Sequence, residues 1–505
     1  MTTNHSAPAI VWFRDDLRVG DNPALLAATQ TGLPVVCIYI NDPKPALTRS
    51  IGAAVKWWLD GSLRALDEQL SALGNRLHIF SGSEEITLKK IVKSLKSKNI
   101  FWNRRYGATE ITTDTNLKAC LQDEGCSVQS FNANLLYEPW EVVSKVGAPM
   151  RVFTPFWKAA RASKSPEIPL PAPEKIASIN ASAVEKLYAH IEHEVSSIEA
   201  LNLVPTAPDW SGSMRKFWQR GEKGARKRLD TFLSTSLKGY AENRDRPDQD
   251  GTSRLSPYLR FGEISPRQIW QATHQAVASG ASDASDKDVE KFLAEIGWRE
   301  FSYHLLFYNP DLATKNFNAR FDHFPWFEKP IAYAKWCRGH TGYPIVDAGM
   351  RQLWATGWMH NRVRMICASF LIKHLLINWR HGEDWFWDTL VDADRASNPA
   401  SWQWVAGSGA DAAPYFRIFN PIIQGQKFDP NGDYIRQWVP EIADIPTQYL
   451  HAPWSAPDVV LKRCGISLGR HYPKPIVDHD EARAKALKAF DDLKSAYAEH
   501  ETSEP

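Results

Sequence analysis

Three blocks of the 505-residue sequence carry residue types and spacings that could do chemistry. The first holds Tyr240, Arg244 and GTSRLSPYLRFGEISPR (251–267), where Thr252, Ser253 and Ser256 set hydroxyls and backbone N–H groups around Arg254 and Leu255, just ahead of a helical pattern. Unspent N–H groups at a helix start favour an anion, so the block reads as a phosphate cradle or as an ordinary hydroxyl-rich cap. The second is EIGWREF (295–301), in which Glu295, Trp298 and Arg299 stand at i, i+3 and i+4 on one helical face. A carboxylate, an aromatic plate and a guanidinium suit a nucleobase that is stacked and hydrogen-bonded, although a Glu/Arg pair around a core Trp is also common. The third runs from GYPIVDAGMRQLWATGWMHNRVRM (342–365) to DTLVDADRASNPASWQW (388–404). Here Asn361, Arg362, Arg364 and Met365 would project around one helix, and Asp392 and Asp394 precede a turn expected at Asn398 and Pro399. The two carboxylates could ligate a metal, exchange a proton or accept an ion pair from Arg364, but their spacing supplies too few oxygens for a metal alone.

These blocks need a scaffold. In residues 1–135 the apolar runs AIVWF (9–13), PVVCIYI (34–40), RLHIF (76–80), NIFWN (99–103) and CSVQSF (126–131) alternate with helical patterns. That alternation predicts a doubly wound parallel sheet, with any ligand at the carboxyl ends of its strands. RDDLRVGDN follows the first strand where a dinucleotide fold would carry GxGxxG, so the usual pyrophosphate cradle is missing. Residues 136–209, with four prolines between Pro166 and Pro173 and one helical segment near Ala183 to Glu194, read as a connector crossing the surface. From 210 to 480 the period is 3.6 throughout, predicting an all-α domain, and 481–505 read as a solvated helix with a frayed polar end.

Composition narrows the function classes. Lys plus Arg at 60 against Asp plus Glu at 58 makes any nucleic-acid site a local patch. The six cysteines form no CxxC pair, which argues against a disulfide framework, a zinc ribbon or an iron–sulfur cluster and fits a reducing cytoplasm. No apolar run approaches the ~18 residues of a membrane span, and the N-terminus lacks a signal-peptide pattern. Eleven of the 21 tryptophans fall between Trp298 and Trp438, so that stretch needs flat electron-rich rings.

Together the blocks resemble the photolyases and cryptochromes, blue-light flavoproteins with an N-terminal α/β domain and a C-terminal helical FAD domain. The resemblance runs from VWFRDDLRVGDNPAL (11–25) through VFTPFWKA (152–159) to FDPNGDYIRQWVPEI (428–442). Between them TSRLSPYL, TGYPIVDAGMRQL, TGWMHNR, WQW and DAAPYFRIFNP are long and specific, and the chain is most similar to bacterial cyclobutane pyrimidine dimer photolyases, with features of class III. The resemblance implies that Tyr240 and Thr252, Ser253, Arg254, Leu255 and Ser256 hold the diphosphate of a U-shaped FAD. It places Asp392, Ala393 and Asp394 beside the flavin ring and ribityl chain, with Asp392 paired to Arg364. Asn398 matches the residue facing flavin N5, where plant cryptochromes place Asp and many animal ones Cys, and so favours repair. Glu295, Trp298, Asn361, Met365 and Trp404 match the dimer pocket, while Arg244, Arg362 and Gln424 would meet flanking DNA. Asn361 stands where eukaryotic (6-4) photolyases place a histidine, and the cysteines lack the iron–sulfur signature of the bacterial (6-4) branch. Trp402, Trp379 and Trp326 match a relay that recharges FAD.

The implied function is light-driven repair, in which excited reduced FAD lends an electron to a flipped-out dimer in DNA and regains it after the ring splits. The rival is a cryptochrome-like photoreceptor without repair activity. No metal is implied, and the expected molecule is a cytoplasmic monomer. Two departures stand out: SNPAS (397–401) has fewer Asn and Gly than relatives, and NRRYGATE (103–110) has Gly107 where a folate-binding motif has Glu. NRRY with AAVKWWLDGSL (53–63) instead resembles class III dimer photolyases, which bind methenyltetrahydrofolate differently, so folate is the leading antenna, with a deazaflavin or none behind it.

Overall fold

Five short apolar runs form the sheet: β1 (Ala9–Phe13), β2 (Val35–Asn41), β3 (Leu77–Ser81), β4 (Asn99–Asn103) and β5 (Ser127–Phe131). The computed structural model describes residues 7–43, 49–412 and 416–501, the last six of these as backbone only. Residues 413–415 of DAAPYFRIFNP and 502–505 of the tail lie outside the described residues. The strands pair in parallel in the order β3-β2-β1-β4-β5. The helices α1 (Pro23–Gln30), α2 (Ala53–Ala72), α3 (Glu84–Leu95) and α4 (Ala108–Asp123) make the crossovers.

Because side chains alternate along a strand, β1 feeds two cores. Ile10 and Trp12 join Val36, Ile38, Ile100 and Trp102 on one face. Ala9, Val11 and Phe13 join a second core that continues into the helical domain. The bridge is α2, whose Trp58 lies edge-on to Trp218 and Tyr258 and donates from its indole to Glu263 at 3.0 Å.

The segment expected to cross the surface is instead built into both domains. Its helix α5 (Phe153–Ser163) buries Phe156 and Trp157 against the long helix Asp286–Tyr308. A Cβ on Gly297 would stand 2.7 Å from the Trp157 ring, so glycine permits this approach. Further on, α6 (Ala181–His190) packs on α3, and Val35 and Ser81 donate backbone N–H groups to Ala177 and Glu194, both at 2.7 Å. Proline removes N–H donors, but the carbonyls of this segment still accept from β2 and the edge strand β3.

After Trp210 no strand occurs among the described residues. The site is framed by helices Asp286–Tyr308, Pro344–Thr356, Asn361–Ser369, Trp379–Thr389 and Ser397–Ala406. Two readings change. SNPAS is the first turn of the last of these helices, where Pro399 replaces an N–H that has no partner inside the helix. The C-terminal helix His479–Glu501 is docked: Ala486, Ala489 and Leu493 pack with Phe321, Phe324 and Phe416.

Candidate functional site

The loop 251–255 takes its shape from one arginine. Arg228 donates to the carbonyl of Ser253 at 2.9 Å and that of Thr252 at 2.7 Å, and pairs with Asp250 at 2.7 Å. Arg254, at φ 50°, turns the chain back toward the short helix Ser256–Arg260. With the carbonyls drawn to Arg228, the N–H groups of Thr252, Ser253, Arg254 and Leu255 donate to no protein group among the described residues. Consecutive unpaired N–H groups form a nest for an anion, and the diphosphate of FAD fits that donor set. A Cβ on Gly251 would stand 3.4 Å from the Asn243 carbonyl oxygen, so the nest lies beside the turn that carries Tyr240. Tyr240 is buried edge-on to Phe232 and Phe292, and burial pushes its hydroxyl well above the ordinary phenol range.

The nest joins the third block through Ser256, whose hydroxyl donates to Asp392 at 2.5 Å. Arg364 grips the same carboxylate with both terminal nitrogens, at 3.1 and 2.7 Å, while its Nε donates to Met359 O at 2.7 Å. A bidentate pair fixes both residues in one plane. Ala393 accepts from Arg260 Nε at 3.0 Å, and Asp394 accepts the N–H groups of Ala396 and Ser397 at 2.8 and 2.6 Å, capping the helix that carries Asn398. Asn398 gives its amide nitrogen to one residue twice, to Glu383 Oε1 at 2.6 Å and Glu383 O at 3.1 Å. The amide oxygen is therefore the atom left to face a ligand, as an acceptor for an N–H. His360 caps its helix through Nδ1, which accepts from Arg362 N at 3.2 Å, so its proton sits on Nε2, buried without a partner. Burial lowers this histidine to about 4, and a bound group would satisfy the orphaned N–H.

The second block faces outward. Trp298 is 37% exposed and stacks its inner face on Phe153 at 3.8 Å and 8°. Asp411 ties this plate to Trp404, accepting from Phe153 N at 3.3 Å and from Trp404 Nε1 at 3.0 Å. Glu295 pairs with Arg244, which lies 3.8 Å from Asp245, which in turn pairs with Arg362 at 2.6 Å. Four charges thus alternate in a line, and both arginines expected to meet DNA already have protein partners. Arg362 also lies 4.5 Å over Phe428, on the helix bearing half-buried Gln424. Asn361 is exposed and Met365 half-buried. Arg299 leaves this face: it donates to Asn134 O at 2.7 Å and Leu259 O at 3.4 Å, at the domain boundary.

Of the three relay candidates, Trp402 and Trp379 are buried and Trp326 partly so. Trp402 packs on Phe386 at 4.9 Å and on Gly382, where a Cβ would sit 2.1 Å from the ring, one helical turn beyond Trp379. Trp379 donates to Asn316 Oδ1 at 2.9 Å, and Trp326 lies 4.5 Å from Phe324, beneath the C-terminal helix.

At the carboxyl ends of β1 and β4, where a ligand was expected, Arg104, Arg105, Arg260 and Arg395 line a cleft of about 30 Å³, enough for a water molecule. Glu110 folds back over Gly107, 2.1 Å from where a Cβ would stand, and pairs with Arg395. Sequence reasoning missed Arg228, Glu383, Asp245 and Phe153. Only Phe153 had a signal, the VFTPFWKA motif; the others act from 15 residues or more away in sequence or from unremarkable surroundings.

No three His, Cys, Asp or Glu side chains among the described residues gather as a metal site, and none of the described helices is long and apolar enough to cross a membrane. Residues 9–174 match the DNA photolyase family and residues 292–492 the FAD binding domain of DNA photolyase. The chain is 50% identical over 485 residues to a deoxyribodipyrimidine photo-lyase of Agrobacterium fabrum, covering 96% of this chain and 98% of that protein. It is 40% identical over 492 residues to Cryptochrome-1 of Arabidopsis thaliana, covering 96% and 70%. A solved structure of a bacterial class III photolyase from Agrobacterium tumefaciens aligns with a TM-score of 0.91 at 48% identity, covering 98% of this chain and 100% of that one.

Proposed function

The chain belongs to the DNA photolyase and cryptochrome family, and from that premise we propose that it repairs cyclobutane pyrimidine dimers in DNA under blue light. Reduced FAD, when bound and excited, supplies one electron to the dimer and takes it back once the ring has opened. The protein's part is binding, orientation and hydrogen bonding. Thr252, Ser253, Arg254, Leu255 and Ser256 would hold the diphosphate, Tyr240 would wall that end, and Arg364, Asp392, Ala393 and Asp394 would fix the ring end. Asn398 would accept the proton-bearing N5 with its free amide oxygen.

A dimer inside a duplex must be flipped out, and its poor pairing lowers that cost. Trp298 and Trp404 would clamp its apolar faces, with Met365 beside them. Glu295 and Asn361 would hydrogen-bond the base edges, and Arg244, Arg362 and Gln424 would meet the flanking strand without reading sequence. Glu295 is paired with Arg244 and, as a carboxylate, can only accept. Trp402 would pass electrons inward, refilled through Trp379 and Trp326.

The observation that carries the reading is the Trp298 plate, backed by Phe153 and open on its other face, one turn from Glu295. The test is blue-light repair of oligonucleotides bearing one dimer or one (6-4) photoproduct, by protein with reduced flavin. Loss of the dimer alone is expected. Intact dimers on a photoactive flavin would favour the photoreceptor reading, which the 40% identity to a plant cryptochrome motivates. The likeness to a class III photolyase supports methenyltetrahydrofolate as antenna over a deazaflavin, and identification of the chromophores released from purified protein decides it.

A further inference from the structure

We propose that Arg49, contributed by the α/β domain, is a positioning residue that acts through Glu383 to fix which face of the Asn398 amide is presented at the cofactor site. The inference rests on the reading that Asn398 faces the flavin, and it begins from a chain of three contacts. Asn398 Nδ2 donates to Glu383 Oε1 at 2.6 Å, and Glu383 Oε2 accepts from Arg49 Nη1 at 2.7 Å. The second terminal nitrogen of Arg49 binds Asp384.

An ionised Glu383 can only accept, so it holds the nitrogen end of the amide and leaves the oxygen outward. A protonated Glu383 can donate to the amide oxygen instead, and the amide can then turn over and present its N–H groups. The Glu383 backbone carbonyl accepts from the same nitrogen at 3.1 Å in either state, so the charge on Glu383 shifts the balance between acceptor and donor at the cofactor site against that fixed contact. Its side chain is 3% exposed, and burial raises its hold on a proton above that of an ordinary carboxyl. The charged groups facing it are Arg49, which opposes that rise, and Asp384 on its own helix, which adds to it; the helix of Asn398 offers only the neutral amide. Among the described residues Arg49 is the one cation of this set.

The interface is built to hold that cation in place. The Arg49 guanidinium lies 4.5 Å over Trp387, whose indole donates to Ser50 O at 2.9 Å. Ala53 N donates to Asp388 at 2.9 Å, at the start of α2. A Cβ on Gly52 would stand 2.0 Å from Trp387 O, so glycine is required for the approach. The segment 49–53 is thus seated on the helix that carries Glu383, and one domain sets a hydrogen bond in the other's pocket.

The experiment follows dark reoxidation of the photoreduced flavin in air against pH, in full-length FAD-bound protein. Turning the amide oxygen away removes the acceptor for N5–H, so reoxidation should speed up as pH falls through the Glu383 titration. In Arg49→Met that midpoint should lie about 1–3 pH units above the parent's, the usual effect of removing an opposite charge. Arg49→Lys should restore the parent midpoint, and Arg49→Gln stands in should Arg49→Met bind no FAD. Infrared difference spectra should show a carboxylic-acid C=O stretch in Arg49→Met that Arg49→Met with Glu383→Gln removes. An unmoved midpoint in both neutral variants, while Asn398→Ala changes the reoxidation rate, overturns the role of Arg49. If Asn398→Ala leaves the rate unchanged, the flavin-facing reading itself fails, and the proposal with it.

Discussion

The carboxyl-terminal edge of the sheet and the pocket of the helical domain are equally rich in arginine and carboxylate, but they close differently. At the sheet edge Arg14 spends both terminal nitrogens on Asp114 and Asn103 O, and Arg105 spends its own on Glu84 and Asp114. Both guanidinium groups also lie against the Trp12 ring, at 4.3 and 5.5 Å. In the pocket, Arg228 and Arg364 are equally committed, yet they hold other groups so that polar atoms stay open: the 252–255 N–H groups, the Asn398 oxygen and His360 Nε2. Charge density alone does not mark a site. Single unpaired buried atoms do not mark one either, since Arg14 Nε, Arg105 Nε and Trp12 Nε1 at the sheet edge also lack partners; what sets the pocket apart is that Arg228 turns a backbone so that consecutive N–H groups are left open together.

The comparison breaks if substitutions in the two regions cost the same thing. The largest effect should fall in the helical domain. Trp402→Phe leaves an aromatic ring against Phe386 and Gly382 and should cost about 1–2 kcal/mol of stability, yet it should nearly abolish photoreduction of oxidised FAD under an external electron donor. Repair by chemically reduced protein should survive, because in the proposed reaction the lesion draws its electron from the flavin directly. Photoreduction at the parent rate would remove Trp402 from the route.

The sheet edge should show the converse. Asp114→Ala leaves Arg14 and Arg105 facing each other with Glu84 as the nearer remaining carboxylate, and losing one partner of a buried pair costs about 3–5 kcal/mol. Burial opposes ionisation of Asp114, but Arg14 and Arg105 together hold it below the ordinary carboxylate range. A depressed folded-state value means its contribution is present above the unfolded value near ~4 and is lost as pH falls through the folded one. Thermal unfolding from pH 7 down to pH 3 should therefore converge for parent and variant at the acid end, with FAD content unchanged at neutral pH. A variant that loses FAD at pH 7 would erase the distinction between the regions.

How much of this was legible follows the range of the interactions. The five strands appear in the sequence within a residue or two, because β1 to β4 are short apolar runs buried on both faces, while the edge strand β5 buries only Val128 and shows through its place in the alternation. Arg364 and Asp392, Trp298 and Glu295 could be singled out because each stands in a dense local pattern. What pattern could not show was orientation. Arg299 shares a helical face with Glu295 in sequence, yet turns away because Asn134 of the α/β domain and Leu259 of the helical domain both offer carbonyls at the boundary. Glu383 precedes Asn398 by 15 residues and Arg49 belongs to the other domain, so only tertiary packing joins them. The SNPAS turn failed for a local reason, since Pro399 falls in a helix's first turn, where an N–H is spare.

The smallest effect sharpens the comparison within the pocket itself, between the part proposed to hold cofactor and the part proposed to meet substrate. Glu295 is 29% exposed and its one ion pair among the described residues is with Arg244, which retains Asp245 nearby when Glu295 is removed. Glu295→Ala should therefore leave folding and FAD content unchanged, since none of the groups assigned to FAD hydrogen-bonds it. If Glu295 accepts from a base edge in a desolvated pocket, its loss costs about 1–3 kcal/mol, a fall of roughly 5- to 150-fold in affinity for dimer-bearing over undamaged DNA. Freeing Arg244 adds a cation at the rim, so affinity for undamaged DNA should hold or rise slightly while that for the dimer falls. Titrating both oligonucleotides at fixed salt separates the two terms. Equal changes on both would mean that Glu295 only tempers the charge of Arg244 and never touches the lesion.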